Sequence, residues 1–218
     1  MVSSATDCIK VKEDGIQLVG DGCYASIIKN LPSSTGTIIH AYKGDYNENP
    51  VGHYDMPIIT RILIQNLGIH GNQANCTRIA NDTYQEGINI NAARECRVTG
   101  CRVEECVQIG INFQGNTYTP EAQVAARSSI DHNIVLNCGE AAIYMAGMMW
   151  NSQIVNNYVY SPNTIDVNPF GTVGIAVESI GGVGYHVLVS GNSVNGTTSD
   201  GIRVGDGSDY CLIHGNKV

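Results

Sequence analysis

The sequence predicts an all-β fold, a single-stranded parallel β-solenoid of about seven rungs. Three observations predict it: one short strand motif recurs five times, a second strand family recurs six times, and the intervals between the two repeat. The first motif reads Gly87-Ile88-Asn89-Ile90, Gly110-Ile111-Asn112-Phe113, Ala142-Ile143-Tyr144-Met145, Gly174-Ile175-Ala176-Val177 and Gly201-Ile202-Arg203-Val204. Each copy is a small residue, isoleucine, a variable residue and a large apolar residue. Side chains alternate faces along a strand. The isoleucines at 88, 111, 143, 175 and 202 are therefore expected to stack inside, one rung above the next. The outward column is expected to read Asn89, Asn112, Tyr144, Ala176, Arg203.

In chain order, Asp7-Cys8-Ile9-Lys10-Val11, Ile16 to Val19 and Ser26-Ile27-Ile28 read as short strands separated by Gly-rich turns. Thr37-Ile38-Ile39-His40-Ala41 is another, and Ile58-Ile59-Thr60 resumes strand character after a polar loop from Lys43 to Met56. The second family then begins: Ile64-Gln65-Asn66-Leu67-Gly68-Ile69, with counterparts starting at Val98, Ile130, Ile154, Val189 and Ile213. Its fourth column ends in Asn133, Asn157, Asn192 and Asn216, amides placed to hydrogen-bond from rung to rung. Its third column, Asn66, Gly100, His132, Asn156, Gly191 and Gly215, reads as a tight bend or an exposed face.

From the start of a second-family strand to the isoleucine of the next five-fold strand is 13 residues three times: 98 to 111, 130 to 143 and 189 to 202. The return leg is 10 or 11 residues in three cases: 88 to 98, 143 to 154 and 202 to 213. Longer intervals mark loop insertions near residues 71–85, 114–128 and 160–173. The two-residue Asn-Gly turns of a hairpin stack are not at the required places. Successive copies therefore run parallel, about 4.8 Å apart, and build a rod roughly 30–35 Å long.

Composition fits one all-β domain over residues 1–218: 43% of residues are apolar, 15% charged, and glycine is abundant at 25. The net charge of −8 argues against nucleic acid and, more weakly, against unassisted binding of a polyanionic sugar. No run of about 18 apolar residues predicts a membrane span. The start, Met1-Val2-Ser3-Ser4, shows no secretion signal. Eight cysteines without a CxxC pair read as mostly free, buried thiols rather than a zinc site. Cys106 and Cys138 fall in one column on neighbouring rungs, within disulfide range. Packed thiols are the expected outcome there.

With these features the chain resembles the right-handed parallel β-helix proteins of the pectate-lyase-like superfamily. Ile16-Gln17-Leu18-Val19-Gly20-Asp21-Gly22 followed by Ser26-Ile27-Ile28 is similar to the opening segment of the rhamnogalacturonase/epimerase-like branch, which includes phage tailspikes. The resemblance covers essentially the whole chain at the level of fold. It implies a right-handed coil, a polysaccharide partner, and an extracellular, virion or cell-surface location. No amphipathic helix precedes Cys8, and Val218 is the last position of a repeat strand. Apparently uncapped ends are expected, as in a segment of a longer chain or a rod covered by trimerisation or end-to-end contacts.

The expected binding surface is the outward column, with Asn89, Asn112 and Tyr144 contacting sugar. The small residues beside them would keep the strip shallow. Tyr84 and Tyr118, and also Phe170, would stack on sugar rings from the insertions. For catalysis the candidates are Asp200, Arg203, Glu178 and Asp206. Asp200-Gly201-Ile202 resembles part of the Asn-Thr-Asp-Gly motif of polygalacturonase-like hydrolases. Thr198-Ser199 stands in place of Asn-Thr, and the partner motifs of those enzymes are missing.

Glu178 aligns with Gly205, about 16 Å from Asp200 at strand rise, too far for a carboxylate pair. Glu178 with Asp206 is better spaced. Glu86 occupies the position equivalent to Asp200. Asp200 and Arg203 share a side only if the turn before Gly201 breaks the strand alternation. The bland readings are turn carboxylates capping backbone N–H groups and a surface arginine in a weak ion pair. In a uronate lyase or epimerase, Arg203 or Tyr144 would take the proton and calcium would neutralise a polyuronate; otherwise no cofactor or metal is expected. His132 is expected to be exposed. Three readings stand: a polysaccharide-binding and polysaccharide-degrading face, a non-catalytic structural or adhesive rod, and a uronate lyase or epimerase.

Overall fold

Neighbouring strands come from successive turns of the chain, and their pairing is parallel throughout. The computed structural model describes residues 7–34, 36–43, 57–76, 85–115, 125–161, 172–178, 186–205, 208 and 210–218. Sheet A has seven strands: β1 (Ile9–Val11), β4 (Ile39–Ala41), β8 (Ile88–Asn91), β12 (Ile109–Gln114), β16 (Ala141–Ala146), β20 (Val173–Glu178) and β23 (Ile202–Val204). Sheet B also has seven: β2 (Gln17–Val19), β6 (Leu63–Gln65), β10 (Arg97–Thr99), β14 (Ser129–Asp131), β18 (Gln153–Val155), β21 (Leu188–Ser190) and β24 (Leu212–His214). Sheet C runs β3 (Ile27–Lys29), β7 (Gly68–His70), β11 (Arg102–Glu104), β15 (Ile134–Leu136), β19 (Tyr158–Tyr160) and β22 (Ser193–Asn195). A fourth sheet is made of two-residue strands: β5 (Ile59–Thr60), β9 (Ala93–Arg94), β13 (Ala125–Ala126) and β17 (Met149–Trp150). No helix among the described residues is long and apolar enough to cross a membrane.

The aliphatic file of sheet A is as expected. Ile39, Ile88, Ile111, Ile143, Ile175 and Ile202 stand in register, and all but the last are fully buried. Sheet B adds Ile64, Val98, Ile130, Ile154 and Val189, and sheet C adds Ile69, Val103, Val135, Val159 and Val194. Each three-residue strand thus sends one branched side chain inward. Burying each is worth about 1.5–3 kcal/mol.

The second strand family, expected as one strand per copy, is two strands separated by a bend. The third-column residues make that bend, all with positive φ: Asn66 (55°), Gly100 (63°), His132 (56°), Asn156 (55°), Gly191 (65°) and Gly215 (63°). Only glycine and, at modest cost, residues such as Asn and His adopt this left-handed conformation readily. His132 is accordingly exposed at a turn.

The fourth column forms the expected amide ladder. Asn133 Nδ2 donates to Asn157 Oδ1 (3.0 Å), Asn157 Nδ2 to Asn192 Oδ1 (3.0 Å), and Asn192 Nδ2 to Asn216 Oδ1 (2.9 Å). The same oxygens accept the backbone N–H of the preceding rung's asparagine. Each Nδ2 donates its second hydrogen to a carbonyl of sheet B, for example Asn157 to Ile130 O (2.9 Å).

Entering sheet A, the small residues point inward, not outward. A Cβ at Gly87 would stand 2.7 Å from Val103 Cγ1 and 2.9 Å from Cys106 Sγ. At Gly110 it would stand 2.6 Å from Val135 Cγ1 and 2.9 Å from Cys138 Sγ. Ala142 and the next residue, Ile143, both belong to the core, so the alternation breaks at this corner. The small residues exist to let sheet C pack into the corner, and the shallow outer strip expected of them is not there. Cys106 and Cys138 are buried and free.

Candidate functional site

The outer face of sheet A carries one register-aligned column: Lys10, His40, Asn89, Asn112, Tyr144, Ala176 and Arg203. Expected to be open, it is largely closed. Asn89 is 0% exposed, Asn112 2% and Ala176 0%. The reason lies in the broken alternation, which turns a second column outward, that of Glu86, Ile109, Ala141, Val173 and Asp200. Ile109, Ala141, Val173 and Ala176 form a small apolar cluster there, with Tyr144 packed on it. None of these four is more than 8% exposed, so this part of the outer face is covered. Asp200 and Arg203 therefore do share a side. Glu86 and Asp200 are equivalent but four rungs apart, roughly 19 Å at 4.8 Å per rung.

Polar groups gather at both ends of this face. At the N-terminal end, β4 places His40 between two partners. Its Nδ1 lies 2.9 Å from Asp7 Oδ2 and its Nε2 lies 3.1 Å from the Asn91 amide nitrogen. These partners assign Nδ1–H as donor to Asp7 and Nε2 as acceptor from Asn91. Asp7 Oδ1 accepts the Thr37 N–H at 3.2 Å. One rung further, Asn112 Nδ2 donates to Glu86 Oε1 at 2.8 Å.

Burial pushes Glu86 up to about 8, against the opposing pull of Asn112 and Asn89 and with a further push from the charges of Glu140 and Asp7. Asp7 is also penalised by burial, but the His40 contact, the Thr37 N–H and the charge of Lys10 outweigh it and hold its carboxyl below the usual range. At neutral pH Glu86 holds a proton and Asp7 does not.

Five atoms here are buried without any hydrogen-bond partner: Glu86 Oε2, Asn89 Oδ1 and Nδ2, Asn91 Oδ1 and Asn112 Oδ1. A buried polar atom left unpaired costs about 1–3 kcal/mol. Folded proteins leave few such atoms, so five on two adjacent strands need a cause.

At the other end, Tyr144 Oη donates to Glu178 Oε2 at 2.7 Å, and Arg203 Nη2 pairs with Glu178 Oε1 at 2.5 Å. Glu178 is 24% and Arg203 41% exposed. Burial, and then the bond to Glu178, raise Tyr144 well above the usual phenol range. The lyase chemistry expected of this pair needs a base that can lose its proton and a cation free for a uronate. Tyr144 keeps its proton and Arg203 is engaged by Glu178. Asp200 is exposed. Asp206, Tyr84, Tyr118 and Phe170 lie outside the described residues.

Sequence reasoning passed over Asp7, His40 and Asn91, and read Glu86 only as an equivalent of Asp200. Aligning Ile39 with the isoleucine file would have set His40 beside Asn89. The N-terminal rung lacks the small residue of the motif, having Ile38 where the others have glycine or alanine, and so escaped the alignment.

A family model described as right handed beta helix region matches residues 86–218, more than half of the chain. No curated protein and no solved structure matches it.

Proposed function

The chain belongs to the right-handed β-helix family, and we propose that it binds a polysaccharide on the outer face of sheet A, with Glu86 acting as proton donor to a glycosidic oxygen. The observation that carries this reading is the row of unpaired buried atoms on Glu86, Asn89, Asn91 and Asn112. Sugar hydroxyls both donate and accept, so they complement amide oxygens and nitrogens and a protonated carboxyl. Tyr144, directly beside Asn112 in register and half-buried, offers a ring flank to the same ligand.

Glycoside hydrolysis needs one protonated and one ionised carboxyl, roughly 5–9.5 Å apart. Environments that push two carboxyls in opposite directions favour that division of roles. Glu86 and Asp7 are such a pair. Asp7 is bonded to the Thr37 amide, and the next residue, Ile38, donates its N–H to Glu86 O, so about two rungs, roughly 10 Å of backbone, separate them. The candidate catalytic pair thus shifts from Asp200, Arg203, Glu178 and Asp206 to the other end of the sheet.

A glycan array with the full chain, followed by assays for new reducing ends, tests the reading. The expected result is retention of at least one polysaccharide, with Glu86→Gln keeping binding and losing turnover. Binding that persists unchanged in Asn112→Ala and Tyr144→Ala would sink the assignment of the face. A non-catalytic rod is the second reading, favoured by the covered face and the complete asparagine ladder. Absence of binding to any glycan would select it.

A further inference from the structure

We infer that the ligand of this face is an uncharged, hydroxyl-rich sugar chain lying along β8, across the rod, and not a polyuronate. The inference rests on the reading of sheet A as a polysaccharide face. The groups awaiting partners are three amide side chains and one oxygen of Glu86. The charged groups around them are mainly acids: Asp7 beside His40, and Glu140, whose charge reaches Glu86.

Among the described residues, the cations of this column are His40, Lys10 and Arg203. His40 is held between Asp7 and Asn91. Lys10 stands exposed at the N-terminal end of the column. Arg203 lies three rungs beyond Asn112, roughly 14 Å away; Glu178 holds its Nη2, and its Nε is buried without a partner. A ligand carboxylate entering this site would lose its water beside Asp7 and Glu140, while among the described residues of the column Lys10 stands two rungs and Arg203 four rungs from Asn89, which is unfavourable. A neutral hydroxyl meets only complementary partners. The protonated state of Glu86 has the same sense, since it removes one charge from the site.

The direction follows from the spacing. Glu86, Asn89 and Asn91 are on one stretch of six residues, at most about 16 Å of extended backbone, whereas only Asn112 comes from the next rung. The row of vacant partners therefore runs with the strand. The half-exposed residues nearest to it are Glu140 and Tyr144.

Calorimetric titration of the chain with cello-, manno- and malto-oligosaccharides, and with oligogalacturonate and oligoguluronate, tests this; calcium is included so that the uronates are not handicapped. Asn89→Ala, Asn89→Ser and Asn112→Ala serve as variants, with thermal melts as fold controls. The expected result is that a neutral chain binds, at least tenfold more weakly to the folded variants, while the uronates do not. A uronate that binds more tightly than every neutral chain, and is weakened by the same substitutions, overturns the charge inference but leaves the face standing. Binding of no chain, or binding indifferent to all three substitutions, overturns both.

Discussion

Two stacks of asparagine in this molecule invite comparison. Asn133, Asn157, Asn192 and Asn216 follow one another at the bend between sheets B and C. Asn89 and Asn112 follow one another on the outer face of sheet A. Both stacks step one rung at a time, and every member but the half-buried Asn216 is buried. In the first, the Oδ1 of Asn157 and that of Asn192 each accept two N–H groups, and their Nδ2 groups donate two. In the second, the Asn89 side chain has no partner within hydrogen-bond distance and only pulls on Glu86 from nearby, and the Asn112 side chain makes one bond, to Glu86. Identity of residue and of stacking does not decide the role. What decides it is whether the backbone of the next rung is within reach, and only the bend supplies it. A satisfied stack holds a rod together; an unsatisfied one has capacity left for something else.

The comparison can be broken most directly at Asn157. Asn157→Ala strands the backbone N–H and the Nδ2 of Asn133, and an expected loss of about 3–5 kcal/mol follows from two orphaned buried donors. Urea denaturation would measure it, and a loss below about 1 kcal/mol would show that the ladder is ornament.

Glu86→Gln sharpens the other side. With its folded value at about 8 and its ordinary value at 4.5, Glu86 keeps a proton that the unfolded chain releases between those limits. Stability is therefore expected to fall as pH rises through that window and to level off above it, by up to about tenfold in the folding equilibrium per pH unit. Asp7, shifted the opposite way, acts only as pH drops through and below its ordinary 3.8. Glu86→Gln is expected to flatten the slope between pH 5 and 8; an unchanged slope would assign it to other groups. The smallest effect is expected at Asn89. Asn89→Ala removes no short side-chain hydrogen bond, only its pull on Glu86, so stability without ligand should change by less than about 1 kcal/mol, in contrast to Asn157→Ala.

The ladder and the isoleucine file were legible in the sequence because each repeats a residue type at a fixed interval. The left-handed bend was half legible: its column of Gly, Asn and His is what positive φ selects, but alternation alone does not split a strand. The face of Gly87, Gly110 and Gly174 was not legible. Glycine before a strand reads as a turn residue, and only the approach of Val103, Val135 and Val194 shows that it is a vacancy for a neighbouring side chain. That single reversal also hid the closed outer face, since it turns Ile109, Ala141 and Val173 outward. Asp7 and His40 were hidden for another reason: His40 meets Asp7 and Asn91, and Asp7 joins the column of Glu86, only through a register set by Ile39, in a rung with no copy of the motif.

The asparagine ladder has an electrical consequence. Every Oδ1 faces the lower-numbered rung, and Asn133, Asn157 and Asn192 each send one Nδ2 hydrogen to the higher, so the side-chain carbonyls are all aligned. Each polarises the next, as in any chain of amides donating in one direction. The column consequently has a head and a tail, negative toward Cys101 and positive toward Asn216, whereas the backbone amides along each strand point alternately to the two neighbouring rungs and nearly cancel in that direction.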